Sequence, residues 1–248
     1  MKVQVKQKGK KKTYNVIDKW SDVTLEKWAK LIAIKGYSKI KEAKETILAL
    51  SDIPEKVLNK LEVYHIAAIL QQLSLMQKNE ETCLREIIEI EGVEYGFHPD
   101  LEQMTLGEFV DLETYIQDIE NNMPEIMAIL FRPVVDKSVN YYNIEAYDGN
   151  IKKRAEIMKN IPAEKVQDSL VFFYSFVFDS GHNGNEQAIG DGDFAKKWNW
   201  FGVMYRLANG NIINLNKVTK INLLEALTWL SYETDLQSQN NVKLNNVS

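Results

Sequence analysis

The sequence predicts an α+β fold that is mainly α: helical clusters with two short antiparallel β-hairpins. Three observations predict it. Two pairs of period-two segments flank Gly-containing turns, which is the pattern of a hairpin. Several longer segments place apolar residues at i, i+3 and i+4 behind capping residues, which is the pattern of an amphipathic helix. Of the 248 residues, 45 % are hydrophobic and 26 % charged, the balance of an ordinary globular domain.

The elements follow in order. Val3 to Gln7 and Lys12 to Val16 alternate around Lys8-Gly9-Lys10 and read as the first hairpin. Ser21 to Thr24 cap a helix carrying Trp28, Leu31 and Ile32, ended by Gly36. A second helix spans about Ile40 to Leu50, and Asp52 with Pro54 restarts the chain. Val57, Leu58 and Leu61 mark a short third helix, and Val63 to Lys78 a fourth. Leu84 to Ile90 and Val93 to Phe97 flank Glu91-Gly92 as the second hairpin. Thr105 and Glu108 have the spacing of a capping box, so a helix starts there and runs to about Ile119. Pro124 predicts a break before a short helix from Glu125 to Phe131. Residues 134–150 read as loop. A charged helix from Ile151 to Asn160 precedes one opened by Pro162 that is apolar all round, from Val166 to Phe178. An aromatic helix (Phe194, Trp198, Trp200, Phe201, Tyr205) and a last helix from Ile221 to about Tyr232 follow. Gln237 to Ser248 reads as a polar tail. The segments group as 1–80, 81–133, 134–236 and the tail, or all form one compact domain. The two hairpins lead into similar strings, Val23-Thr24-Leu25 and Met104-Thr105-Leu106, each with an aromatic on the first helical turn (Trp28, Phe109).

Charge is unevenly spread. The first twelve residues hold six lysines and no acid, so the net −5 is a −11 body carrying a +6 terminus. Only four of the 30 basic residues are arginines. Lysine is a hydrated point charge without arginine's bidentate fork, so this is a poor footprint for a nucleic-acid reader. The lysines Lys8, Lys10, Lys11 and Lys12 suit an electrostatic docking edge or non-specific contact with a phosphate backbone. Tyr14 to Asp18 break any apolar run after the lysines, which argues against a secretory signal. No run reaches the length of a membrane span. A single cysteine, Cys83, excludes an intramolecular disulfide framework.

Motifs for chemistry are scarce. His65, His98 and His182 share no metal-ligand spacing, and neither Gly-rich phosphate motif occurs. No catalytic, cofactor-binding or metal-binding residue is singled out, and no cofactor is expected. The Asp179–Asp193 loop, with Ser180 and His182, is rich in oxygen ligands but fits neither a nucleophile elbow nor a calcium loop. The loudest feature is aromatic. Phe172, Phe173, Phe176, Trp198, Trp200 and Phe201 suit either a core or a subunit contact, since interfaces are enriched in the same residues.

One resemblance is carried by segment order. Ala49-Leu50-Ser51-Asp52-Ile53-Pro54, Ile90-Glu91-Gly92-Val93-Glu94-Tyr95, Met104 to Leu112, and Met127 to Pro133 come in that order. This resembles structural or assembly proteins of tailed phages that infect Bacteroidetes, the crAss-like phages among them. It covers about residues 20–180. The resemblance implies a non-enzymatic virion component, made in the host cytoplasm: a head-to-tail or tail ring subunit, a tail-assembly factor, or a protein packaged in the particle. Its partners would be other virion proteins and further copies of itself, with non-specific contact to packaged DNA through the N-terminal lysines. Two alternatives remain: a small enzyme using the 179–193 loop, and a host-directed binding module or regulator.

Overall fold

A computed structural model of the chain describes residues 1–7, 10–76, 84–179 and 193–245. The first hairpin is β1 (Lys2–Gln7) against β2 (Lys10–Asn15), with Val3 opposite Tyr14 and Val5 opposite Lys12. Val5, Tyr14 and Val16 turn to one face. There they meet α2 (Lys39–Ala49), α3 (Glu55–Leu58) and α4 (Val63–Leu73) through Ile47, Leu58, Ile66 and Ile69. This small core holds the first part of the chain together.

Helix α1 (Leu25–Ile32) lies between two cores. The Thr24 hydroxyl accepts from the Lys27 N–H and so caps it. Leu25 and Ala29 belong to the larger core, and Trp28 touches both. That larger core extends from Leu25 to Leu230, so the segments 81–133 and 134–236 are built around the same interior.

The second hairpin is the start of a larger sheet. β3 (Ile87–Ile90), β4 (Val93–Phe97), β5 (Phe131–Lys137) and β6 (Tyr142–Ile144) form four antiparallel strands in that order. The tight turn places Glu91 at φ 50° and Gly92 at φ 81°, both left-handed, as a two-residue hairpin of the primed type requires. The segment expected to be loop thus contributes most of β5 and all of β6. Strand β5 starts where α6 (Ile119–Leu130) stops. The apolar run Met127 to Phe131 crosses that junction, so its periodicity conceals the change. The expected break at Pro124 does not occur, because the proline sits inside α6. In the second turn it removes one bond, that to the Glu120 carbonyl.

Helix α5 (Leu106–Ile116) carries the full capping box: Thr105 Oγ1 accepts from the Glu108 N–H, and Glu108 Oε2 accepts from the Thr105 N–H at 2.7 Å. The remaining helices are α7 (Lys152–Lys159), α8 (Gln167–Asp179), α9 (Asp193–Leu207), α10 (Leu215–Val218) and α11 (Leu223–Asn245). Helix α11 runs through most of what was expected to be a tail. Helix α9 is interrupted at Asn199 (φ 43°, ψ −131°).

The echo between the two Thr-Leu strings extends to their tertiary setting. Each follows a short 3-10 turn, Trp20–Asp22 or Leu101–Gln103. Leu25 N–H donates to Ile161 O and Ala163 N–H to Val23 O, both at 2.8 Å. Leu106 N–H donates to Ile221 O at 2.8 Å and Leu223 N–H to Met104 O at 2.9 Å. In both places one antiparallel bridge ties the chain before a capped helix to the chain before a later helical turn.

At the second bridge Gly107 N–H also donates to Thr219 O at 2.9 Å. A β-carbon on Gly107 would stand 2.9 Å from that same backbone oxygen and 3.0 Å from Thr219 Cβ. Alanine is the better helix former by up to about 1 kcal/mol, but the overlap is with backbone and costs about 1–3 kcal/mol. Gly107→Ala should therefore destabilise, by about 1–2 kcal/mol, read as a lower urea midpoint at unchanged slope. An unchanged or higher midpoint would show that the bridge yields freely.

Candidate interaction surface

The larger core contains a charged cluster that no motif announced. Glu108, already the cap of α5, points its second oxygen at Arg132 Nη2 on β5, 2.5 Å away. His98 Nε2, just past β4, lies 3.6 Å from the same oxygen. Arg132 is 4 % exposed, and Glu108 and His98 are buried too. The Arg132 guanidinium sits 5.7 Å over the Tyr147 ring, and the Tyr147 hydroxyl donates to Asp111 on α5. Burial alone would push the Glu108 carboxyl up. The His98 imidazole, the Arg132 charge and the Thr105 N–H outweigh it and hold the carboxyl at about 2. Burial, then the bond to Asp111, pushes the Tyr147 hydroxyl well above its usual range. These groups brace α5 against the sheet. An acid or base must reach a proton on its substrate, and this one is sealed in.

The residues expected to meet partners fall into separate places. Lys8 lies outside the described residues. Lys10 opens β2, and Lys11 and Lys12 are exposed on it, with the Lys12 ammonium 5.5 Å from the Tyr14 ring. Phe173 and Trp200 are buried in the larger core, Trp200 at 3 % exposure with its ring edge-on to Phe109 at 5.7 Å. Those two are packing residues. Phe176 is half-buried against the same core. Phe172 meets Phe97 edge-on at 5.8 Å and keeps its other side exposed. Trp198 and Phe201 are exposed, with ring centroids 5.8 Å apart. The turn at Asn199 separates the buried Trp200 from Trp198 next to it. The loop residues Ser180 to Gly192, His182 included, and Cys83 lie outside the described residues.

The structure adds partners to the exposed aromatics. Phe201 and Tyr205 are four apart on α9, and Trp229, Tyr232 and Leu236 follow at spacings of three and four on α11. All five are exposed, Trp229 at 56 % and Tyr232 at 57 %. Helical spacing puts each set on one face. Arg206 on α9 pairs with Glu233 on α11 at 3.2 Å, which ties the two helices together beside these stripes. Trp229 and Tyr232 pack edge-on at 5.9 Å. Single exposed apolar residues are ordinary, but aromatic side chains recurring along one exposed helix face suit an interaction site. The sequence signal for Trp229 and Tyr232 was their phase on the last helix. Leu223, Ala226 and Leu230 occupy its buried face, which leaves Trp229 and Tyr232 outward.

Among the described residues no group of three or more His, Cys, Asp or Glu could hold a metal ion, and no helix is long and apolar enough to cross a membrane. No family model, curated protein or solved structure matches the chain.

Proposed function

We propose that this chain is a non-enzymatic structural or assembly component of a tailed phage particle, acting through protein–protein contact. The observation that carries the reading is the pair of exposed aromatic stripes on α9 and α11. Its partners are the neighbouring subunits of the particle, further copies of this chain among them. The resemblance of the segment order to crAss-like phage proteins points to the same reading. Buried aromatic anchors supply most of the free energy of protein interfaces, and here five large apolar side chains stand exposed on α9 and α11. The Glu108, Arg132 and His98 cluster is enclosed as a brace, which suits a building unit.

Mass spectrometry of purified particles tests the setting, and light scattering on the purified chain tests the contact. The expected results are peptides of this chain in the particle and a mass above that of one 28.6 kDa chain, or capture of another particle protein. A strictly monomeric chain that binds no particle protein and is missing from particles would overturn the proposal.

A further inference from the structure

The N-terminal hairpin leaves one strand edge uncovered, and it borders a groove. Met1 and Val16 exchange backbone bonds, the Met1 ammonium donating to Val16 O at 2.5 Å and Val16 N–H to Met1 O at 2.8 Å. Bonded pairs alternate along an antiparallel ladder. Val3 with Tyr14 and Val5 with Lys12 are therefore bonded pairs, and the backbone N–H and C=O of Lys2 and Gln4 point away from β2. No other strand pairs with β1 among the described residues. The outer side of β2 differs, since Asn15 and Ile17 are bonded to Asp52 and Leu50 there.

Beside β1 runs a groove of about 530 Å³ between residues 2–5 and the wall made by Leu61, His65, Ala68 and Ile69, on α4 and just before it. One wall offers extended backbone with no partner strand among the described residues on its outer side, and the other sets Leu61, Ala68 and Ile69 beside the polar His65 and Gln72. A strand added to a free edge uses both: main-chain bonds hold it, and alternate side chains fill the groove. The charge nearby is positive. Lys2 and Lys60 line the groove against one acid, Glu62, and the hairpin itself holds six lysines and no acid within the first twelve residues.

We infer that β1 receives an extended acidic peptide segment of another protein as a third strand, held along the Lys2–Val5 edge and against α4. The partner is acidic because Lys2 and Lys60 line this groove against the single acid Glu62. A second copy docking through the same edge would bring its own lysines alongside, and lysine on an edge strand is a recognised bar to such pairing. The surface is distinct from the aromatic stripes on α9 and α11, so either can fail while the other stands.

The test uses the full chain and a fluorescein-labelled ten-residue peptide alternating valine and glutamate, with anisotropy as the readout at low salt. The same peptide with lysine in place of glutamate, and a short DNA duplex, are the controls. Saturable binding of the acidic peptide, weakened by salt, is expected. Gln4→Pro removes the outward N–H and sets a ring on the edge while sparing the bonds to β2. Ala68→Arg fills the groove from a helix that accepts arginine well. Each should weaken binding at least about tenfold while the thermal unfolding midpoint stays put. Either variant serves if the other unfolds. The inference is overturned by no saturable binding of the acidic peptide, by equal binding of the lysine peptide, by both folded variants binding like the parent, or by DNA outcompeting the peptide. It is also overturned if Gln4→Pro abolishes self-association seen by sedimentation, since the occupant would then be a second copy.

Discussion

Arg132→Met is expected to destabilise the chain by about 3–5 kcal/mol, with urea unfolding followed by tryptophan fluorescence as the measurement. Methionine fills much of the space of the arginine stem, so little of the loss comes from packing. The loss comes from Glu108, which is 2 % exposed and would be left as a buried carboxylate without its cation. Glu108→Gln in the same chain removes that stranded charge and should recover part of the loss. The coupling between the two positions is the quantity a double-mutant cycle isolates. Acid provides an independent reading. The Glu108 carboxyl lies at about 2 in the folded chain against an ordinary 4.5. As pH falls the unfolded chain takes up the proton first. The stability this group contributes is thus fully present above about pH 4.5 and is lost progressively toward pH 2. The shift corresponds to about 3 kcal/mol. Arg132→Met should flatten that dependence, because the cation that holds the carboxyl down is gone. A loss below about 1 kcal/mol, with an unaltered acid profile, would mean that the pair behaves like a surface ion pair and does not brace α5.

What was legible in the sequence was local. Thr105 and Glu108 stand three apart and announce a cap, and Glu91-Gly92 stands between two strands and announces a turn. Both signals are complete within a few residues. What was not legible depends on distant partners. Phe131 to Lys137 becomes a strand because β4 offers it an edge, with Phe97 opposite Phe131, and nothing within the segment records that edge. Arg132 finds Glu108 through the same pairing. The available cue was an arginine directly after the apolar run Met127 to Phe131 in a chain with four arginines, which signals a buried cation in need of an anion. Pro124 has the usual signature of a helix break, yet in the second turn of α6 it costs the helix one bond. The aromatic stretch from 194 to 205 was visible as composition, but the turn at Asn199 decides which ring goes inside. Trp200, directly after it, packs against Phe109.

The two tryptophans Trp200 and Trp229 separate packing from partnership, and replacing Trp229 and Tyr232 together by aspartate should produce the larger change in assembly. Both side chains are more than half exposed. Their removal should alter unfolding stability by no more than about 0.5 kcal/mol per site, as at other exposed positions. Trp200→Ala, by contrast, opens a cavity beside Phe109 and should cost about 3–5 kcal/mol in stability. At an interface the order reverses. A centrally placed tryptophan or tyrosine contributes about 2 kcal/mol or more, about thirtyfold in affinity. Two together, with a carboxylate forced into each desolvated site, should weaken association about a thousandfold. Light scattering and incorporation into particles both read this. Loss of association with an unchanged unfolding midpoint places the partner on the α9 and α11 stripes. Loss of both would mean that the stripes hold the helices together and face no partner. A Trp229→Asp, Tyr232→Asp chain that folds and assembles like its parent would remove the observation on which the proposed function stands.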